Sequence, residues 1–189
     1  MNSKEHPSEA PAATESSDVD TDVETGVDAD NDHTDTPTED ALTFSGSVAI
    51  ETTTDDLWAT ISDPATLTEC VPGAESIERV DERTYTVEIT RGVSHLTVSL
   101  SGEAEFVEMN PPAYVVTSAS AFDSKTGSDF DILAAMEISE TDAGAALAYT
   151  AEVSISGGVG SMSPRLLRPI VNRDIETYFE NVKSEVEGQ

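Results

Sequence analysis

The chain has 189 residues, with 38 Asp plus Glu against 9 Lys plus Arg, for a formal net charge of −29. A surface this acidic repels phosphate backbones and anionic headgroups, which excludes nucleic acid as a partner. One cysteine, Cys70, rules out an internal disulfide and a multi-cysteine metal centre; no apolar run approaches the ~20 residues that span a bilayer, and Met1 to Glu9 has no apolar signal core, so a soluble cytoplasmic protein without a transmembrane segment is expected.

In chain order, residues 1–40 come first. They hold 13 acidic groups and one basic group and no Phe, Trp, Tyr, Leu or Ile. Such a segment cannot bury enough apolar surface to offset the entropy of ordering, so it reads as a disordered acidic tail. All ten aromatic residues lie at Phe44 or later, so the folded domain is expected over 41–189, where 25 acidic and 8 basic groups remain. Self-repulsion on this scale is tolerated when salt screens it, and the expectation is a halophilic protein.

Leu42, Phe44, Val48 and Ile50 share one face of a strand. Thr53 to Asp56 suits a helix N-terminus, and Leu57, Trp58 and Ile61 form its stripe. Asp63-Pro64 ends that helix and starts a second, which Pro72-Gly73 closes. Strands follow over Ser76 to Val80, Tyr85 to Ile89 and Leu96 to Phe106. Asn110-Pro111-Pro112 breaks the chain. Tyr114 to Phe122 is apolar or small on both faces, so its orientation stays open. Phe130 to Ile138 and Leu147 to Ile155 alternate again. After Gly157-Gly158 the period changes from two to 3.6. Leu166, Ile170, Ile175, Tyr178, Phe179, Val182 and Val186 predict a long amphipathic helix. Ser163 is its expected cap, and Pro169 predicts a kink or a separate first turn. The sheet is polar on one face and apolar on the other, and only the last helix is long enough to cover the apolar face. The predicted fold class is therefore α+β, a curved antiparallel sheet of about seven strands gripping a helix, with two short helices after strand 1.

Several stretches carry a family resemblance. They are Phe44-Ser45-Gly46, Asp55-Asp56-Leu57-Trp58, Arg91-Gly92-Val93, Leu100-Ser101-Gly102, Gly157-Gly158-Val159-Gly160 and Tyr178-Phe179. Most specific is Asp63-Pro64-Ala65-Thr66-Leu67-Thr68-Glu69-Cys70-Val71-Pro72-Gly73-Ala74-Glu75-Ser76. With these the domain resembles the CoxG family of carbon monoxide dehydrogenase, within the START-like (SRPBCC) superfamily. The resemblance implies a helix-grip fold and a non-enzymatic accessory protein. It also implies molybdenum hydroxylase subunits as partners, peripheral contact with the respiratory membrane, and a bound quinone such as menaquinone. A generic lipid or isoprenoid carrier and a small START-like cyclase or hydrolase are the alternatives.

An apolar ligand needs a dry cavity and one or two polar groups. The space between sheet and last helix is the expected place. Candidate liners are Val71, Tyr85, Val87, Leu100, Phe130, Leu166, Ile170 and Phe179, with Gly46, Gly102, Ala104 and Ala134 as small inward residues that leave volume. No catalytic residue and no metal site is expected. His95, the single histidine of the domain, falls on the polar face. Cys70 reads as a small buried hydrophobe. Asp123, Asp129 and Asp131 read as solvated surface rather than a cation site. Arg165, Arg168 and Arg173 form the one basic cluster, spaced along the last helix.

Overall fold

Alternation and capping act where the sequence places them. In the computed structural model, which describes residues 41–188, strand β1 (Leu42–Ile50) presents buried Leu42, Phe44 and Ile50 on one side. The expected tail over 1–40 lies outside the described residues. Helix α1 (Thr54–Ser62) is capped by Thr53, whose Oγ1 accepts from the Asp56 amide at 3.1 Å. Helix α2 (Pro64–Cys70) begins with proline at its first turn, where no amide is needed. Its cap, Asp63, accepts from the Thr66 amide and hydroxyl, both at 2.9 Å, and these bonds hold its carboxyl below the usual range.

Six strands then run as a meander: β2 (Ala74–Arg79), β3 (Thr84–Val93), β4 (Leu96–Asn110), β5 (Tyr114–Asp123), β6 (Ser128–Thr141) and β7 (Gly144–Ile155). The sheet order is β1-β7-β6-β5-β4-β3-β2, with every neighbouring pair antiparallel. The crossing through α1 and α2 thus carries the chain from one edge strand to the other. A short turn of helix, α3 (Gly157–Gly160), leads into α4 (Pro164–Glu187). This is the seven-stranded helix-grip architecture that the periodicity predicts.

Three local expectations change. Helix α4 runs unbroken through Pro169, whose ring is on the exposed side, so there is no separate first turn. Ser163 occupies the N-cap position, but its side chain makes no cap bond; its carbonyl accepts from the amides of Leu166 and Leu167. Asp123 is not solvated surface: it is fully buried. Its carboxylate accepts from the Thr126 hydroxyl at 2.6 Å and from the amides of Thr126, Ser99 and Lys125. Thr126 in turn meets buried Ser128, whose hydroxyl accepts from the Val159 amide at 2.9 Å. This chain of bonds ties the β5–β6 turn to α3. Asp129 and Asp131 lie on the other face, bonded to Ser156 and Ser120.

The Thr126 hydroxyl and the three amides hold the Asp123 carboxyl below its ordinary value of 3.8. A depressed folded value means that its stabilisation is fully present above 3.8 and is lost as pH falls through the folded value. Urea unfolding of wild type and Asp123→Asn between about pH 5 and pH 2 checks this. The stability gap is expected to be widest at the upper end and to shrink on acidification; a constant gap refutes it.

Candidate functional site

The apolar interior divides into two clusters. One gathers Leu57, Ile61, Cys70, Tyr85, Phe106, Val115, Phe179 and Val182; the other gathers Leu42, Phe44, Val93, Val98, Val153, Val159 and Leu167. Tyr149 and Ile175 touch both. Between the clusters, the inward face of the sheet is made of small side chains. One register row runs Tyr85, Ala104, Ala119, Ile132, Val153. The next runs Val87, Gly102, Ala121, Phe130, Ile155. A third runs Phe106, Thr117, Ala134, Ala151.

The centre of this patch is only partly covered. Gly102, Ala104, Thr117, Ala119, Ala121 and Ile132 belong to neither cluster. None of them is buried, and Ile132 is 38% exposed although it stands on the inward face. Gly102 adds no volume of its own: a Cβ there would collide with the Ser120 carbonyl oxygen, so the glycine serves the close approach of β5.

Helix α4 bridges this hollow from its rims. The Arg168 guanidinium donates to the Thr43 carbonyl at 2.9 Å and lies 5.3 Å from the Phe44 ring centre. Lys183 donates to the Ala49 carbonyl at 3.0 Å. Both hold the helix to β1. On the other side, Arg91 of β3 pairs with Asp174, and Asn181 donates to the Cys70 carbonyl at 3.0 Å. Beneath the helix, Phe179 stacks on Tyr149 with ring centres 4.3 Å apart.

Seven of the eight expected liners face this interior, divided between the clusters. Val71, Tyr85, Val87 and Phe179 fall in or against the first; Leu100, Phe130 and Ile170 pack against the second. Leu166 does not. It is 59% exposed on the outer side of α4, and its neighbour Leu167 takes the inward position. The arginines at positions 165, 168 and 173 are exposed around it. Gly46 leaves no space either, because the Tyr149 ring lies against it, 2.7 Å from where a Cβ would sit. Thr117, Ala119, Ala121 and Ile132 escaped sequence reasoning. Three of them belong to the one strand with small residues on both faces, where alternation carries no phase.

Two other hollows have different chemistry. A cleft of about 910 Å³ lies between α1, the end of β1 and the end of α4, lined by Glu51, Asp56, Asp63, Glu187 and several threonines. A second, of about 530 Å³, opens by the β4–β5 turn among Asn110, Tyr114, Met136 and Tyr149. Neither contains the small-residue centre.

Reactive groups stand away from the hollow or are muted. His95 is exposed in the β3–β4 turn. The Cys70 thiol is pushed up to about 11, first by burial and then by Glu185 and Glu69, so it stays protonated at neutral pH. Burial raises the Tyr178 hydroxyl as well. Among the described residues no group of His, Cys, Asp and Glu is placed to hold a metal ion, and no helix is long and apolar enough to cross a membrane.

Comparison with known proteins matches residues 46–187 to the family model of the carbon monoxide dehydrogenase G subunit (CoxG). A comparison with curated proteins gives no match. Among solved structures, the chain is similar to a conserved protein from Geobacillus kaustophilus, at 20% identity and TM-score 0.72, covering 78% of this chain and 96% of that one. It is also similar to the Zhui aromatase/cyclase from Streptomyces sp. R1128, at 14% identity and TM-score 0.60, covering 78% and 94%. A third similar structure is Ara h 8.0201, at 12% identity and TM-score 0.57, covering 79% and 99%. These likenesses establish the shared fold.

Proposed function

Because the chain belongs to the CoxG family of carbon monoxide dehydrogenase, we propose that it is a non-enzymatic accessory protein that carries an apolar molecule, a quinone such as menaquinone, between its sheet and last helix. It serves a molybdenum hydroxylase of the carbon monoxide dehydrogenase type, on the cytoplasmic face of the respiratory membrane. The observation that carries this reading is the set of small, partly accessible side chains at the centre of the inward face. An apolar guest removes that surface from water, at ~25 cal/mol per Å². Small and apolar side chains across that centre support a holding role.

A docking side is also available. Between Glu152 and Asp174 the chain has no acidic residue, yet it carries Arg165, Arg168 and Arg173. In so acidic a protein this stretch, with Leu166 exposed in its midst, is the surface least repelled by an anionic membrane or an acidic partner.

Mass spectrometry of an organic extract from the purified chain tests the cargo, with Ala119→Leu as the comparison. A leucine there occupies the hollow. The wild type is expected to release a quinone, and the variant to release little while melting within a few degrees of the wild type. Equal quinone in both, or none from the wild type even after incubation with menaquinone, refutes the reading. Recovery of large hydroxylase subunits in a pull-down supports the partner; their absence leaves a general isoprenoid carrier.

A further inference from the structure

Among the described residues, one buried side-chain nitrogen or oxygen lacks a hydrogen-bond partner: Thr117 Oγ1. Buried polar atoms are almost always paired, and an unpaired one weakens a fold. Valine would occupy the same space without that penalty. Thr117 is not at a sheet edge or a turn, where water would serve it. It lies on the central strand β5, on the inward face, with Phe106 and Ala134 beside it in register. Its inward neighbour along the strand is Ala119, and across the sheet from Ala119 stand Ala104 and Ile132. The hydroxyl therefore sits at the border of the partly covered patch, in apolar surroundings, with no bond to give up when a guest arrives.

We infer that Thr117 is the polar anchor of the carrier site: its hydroxyl donates to an oxygen acceptor, a carbonyl or quinone oxygen, at one end of an otherwise apolar guest. The inference rests on the carrier reading and adds to it the residue that orients the guest. The methyl and hydroxyl of threonine exchange places by rotation between staggered positions about the Cα–Cβ bond, which turns the hydroxyl toward the hollow. The hydroxyl oxygen is itself buried and has no partner competing for it, so an oxygen-bearing guest is preferred over a hydrocarbon of the same shape. The small neighbours Ala119 and Ala134 leave room beside the hydroxyl for a ring.

Calorimetric titration of the full chain in molar KCl tests this, with menadione as the probe and 2-methylnaphthalene as its carbonyl-free counterpart. The wild type is expected to bind menadione the tighter. Thr117→Val is expected to lose about five- to tenfold for menadione and to leave 2-methylnaphthalene unchanged, while Thr117→Ser keeps the preference. Free of ligand, Thr117→Val is expected to melt above the wild type, which separates a lost anchor from a damaged fold. Menadione affinity unchanged in Thr117→Val, or an equal loss for both probes, overturns the anchor and leaves the carrier reading standing. A wild type that takes up neither probe overturns the carrier reading, and the anchor with it.

Discussion

Phe179→Ala is expected to cost about 3–5 kcal/mol of folding free energy, the usual range for deleting a buried aromatic ring. Phe179 is 5% exposed, stacks on Tyr149 and meets Tyr178 edge-on with ring centres 5.0 Å apart. With Ile175 and Val182 it seats the middle of α4 on the core, and it is the aromatic ring among them. Its loss leaves a cavity under the helix and frees Tyr149, one of the two residues that join the core clusters. For a domain of this size the loss corresponds to a fall in Tm of about 10 °C, read by thermal unfolding in molar salt. Leu166→Ala is the control. At 59% exposed, it is expected to change stability by no more than about 0.5 kcal/mol. A near-neutral Phe179→Ala would mean that the helix is not seated on the sheet, and the carrier site would fall with it.

The second large effect concerns salt. Residues 41–189 carry 25 acidic and 8 basic groups. Among the described residues the ion pairs are Arg91–Asp174 and Lys183–Glu187. The second is exposed and of the kind worth about 0–1 kcal/mol. Most carboxylates therefore repel one another with no local partner. On the halophilic reading counter-ions supply what side chains do not: screening extends over ~10 Å at 0.1 M salt but only ~3 Å at 1 M. Loss of tertiary structure is expected when salt falls below about 1 M, followed by near-UV circular dichroism during dilution from concentrated KCl. A domain that keeps its native signal at ~0.1 M KCl would refute the halophilic reading.

The two predictions are independent. One removes packing beneath α4 and acts at any salt concentration. The other acts on the charged exterior and leaves the packing untouched. Phe179→Ala should therefore shift the salt midpoint upward without changing the form of the salt dependence.

Much of the architecture was legible because it rests on local rules. Period-two alternation marked Leu42 to Ile50, Tyr85 to Ile89 and Phe130 to Ile138 as strands, since one face had to be buried. The change to a period of 3.6 after Gly157-Gly158 marked the last helix. Capping chemistry placed α1 and α2, as Thr53 and Asp63 confirm with their bonds to Asp56 and Thr66. The stretch from Asp63 to Ser76 pointed to the family. Alternation and helical period also placed Tyr85, Val87, Phe130 and Phe179 on the inward side, and in the fold they lie in or against the two core clusters.

The centre of the candidate site was not legible, and the reason is physical. Where both faces of a strand are small, as from Tyr114 to Phe122, no contrast in hydrophobicity sets the phase. Only hydrogen-bond register with β4 and β6 decides that Thr117, Ala119 and Ala121 point inward. Two adjacent leucines, Leu166 and Leu167, could each begin a helical stripe; packing in one cluster with Leu42 and Phe44 of β1, distant in sequence, turns Leu167 in and Leu166 out. Asp123 looks like any other surface carboxylate until the four-residue turn 124–127 and the Ser99 amide close around it. Composition, periodicity and caps are properties of neighbours along the chain, and they determined the fold class and the order of its elements; the family rests on the resemblance carried by the Asp63–Ser76 stretch and on the family match over residues 46–187. Which side chains share the hollow is a property of neighbours across the sheet, and only the folded chain brings those together.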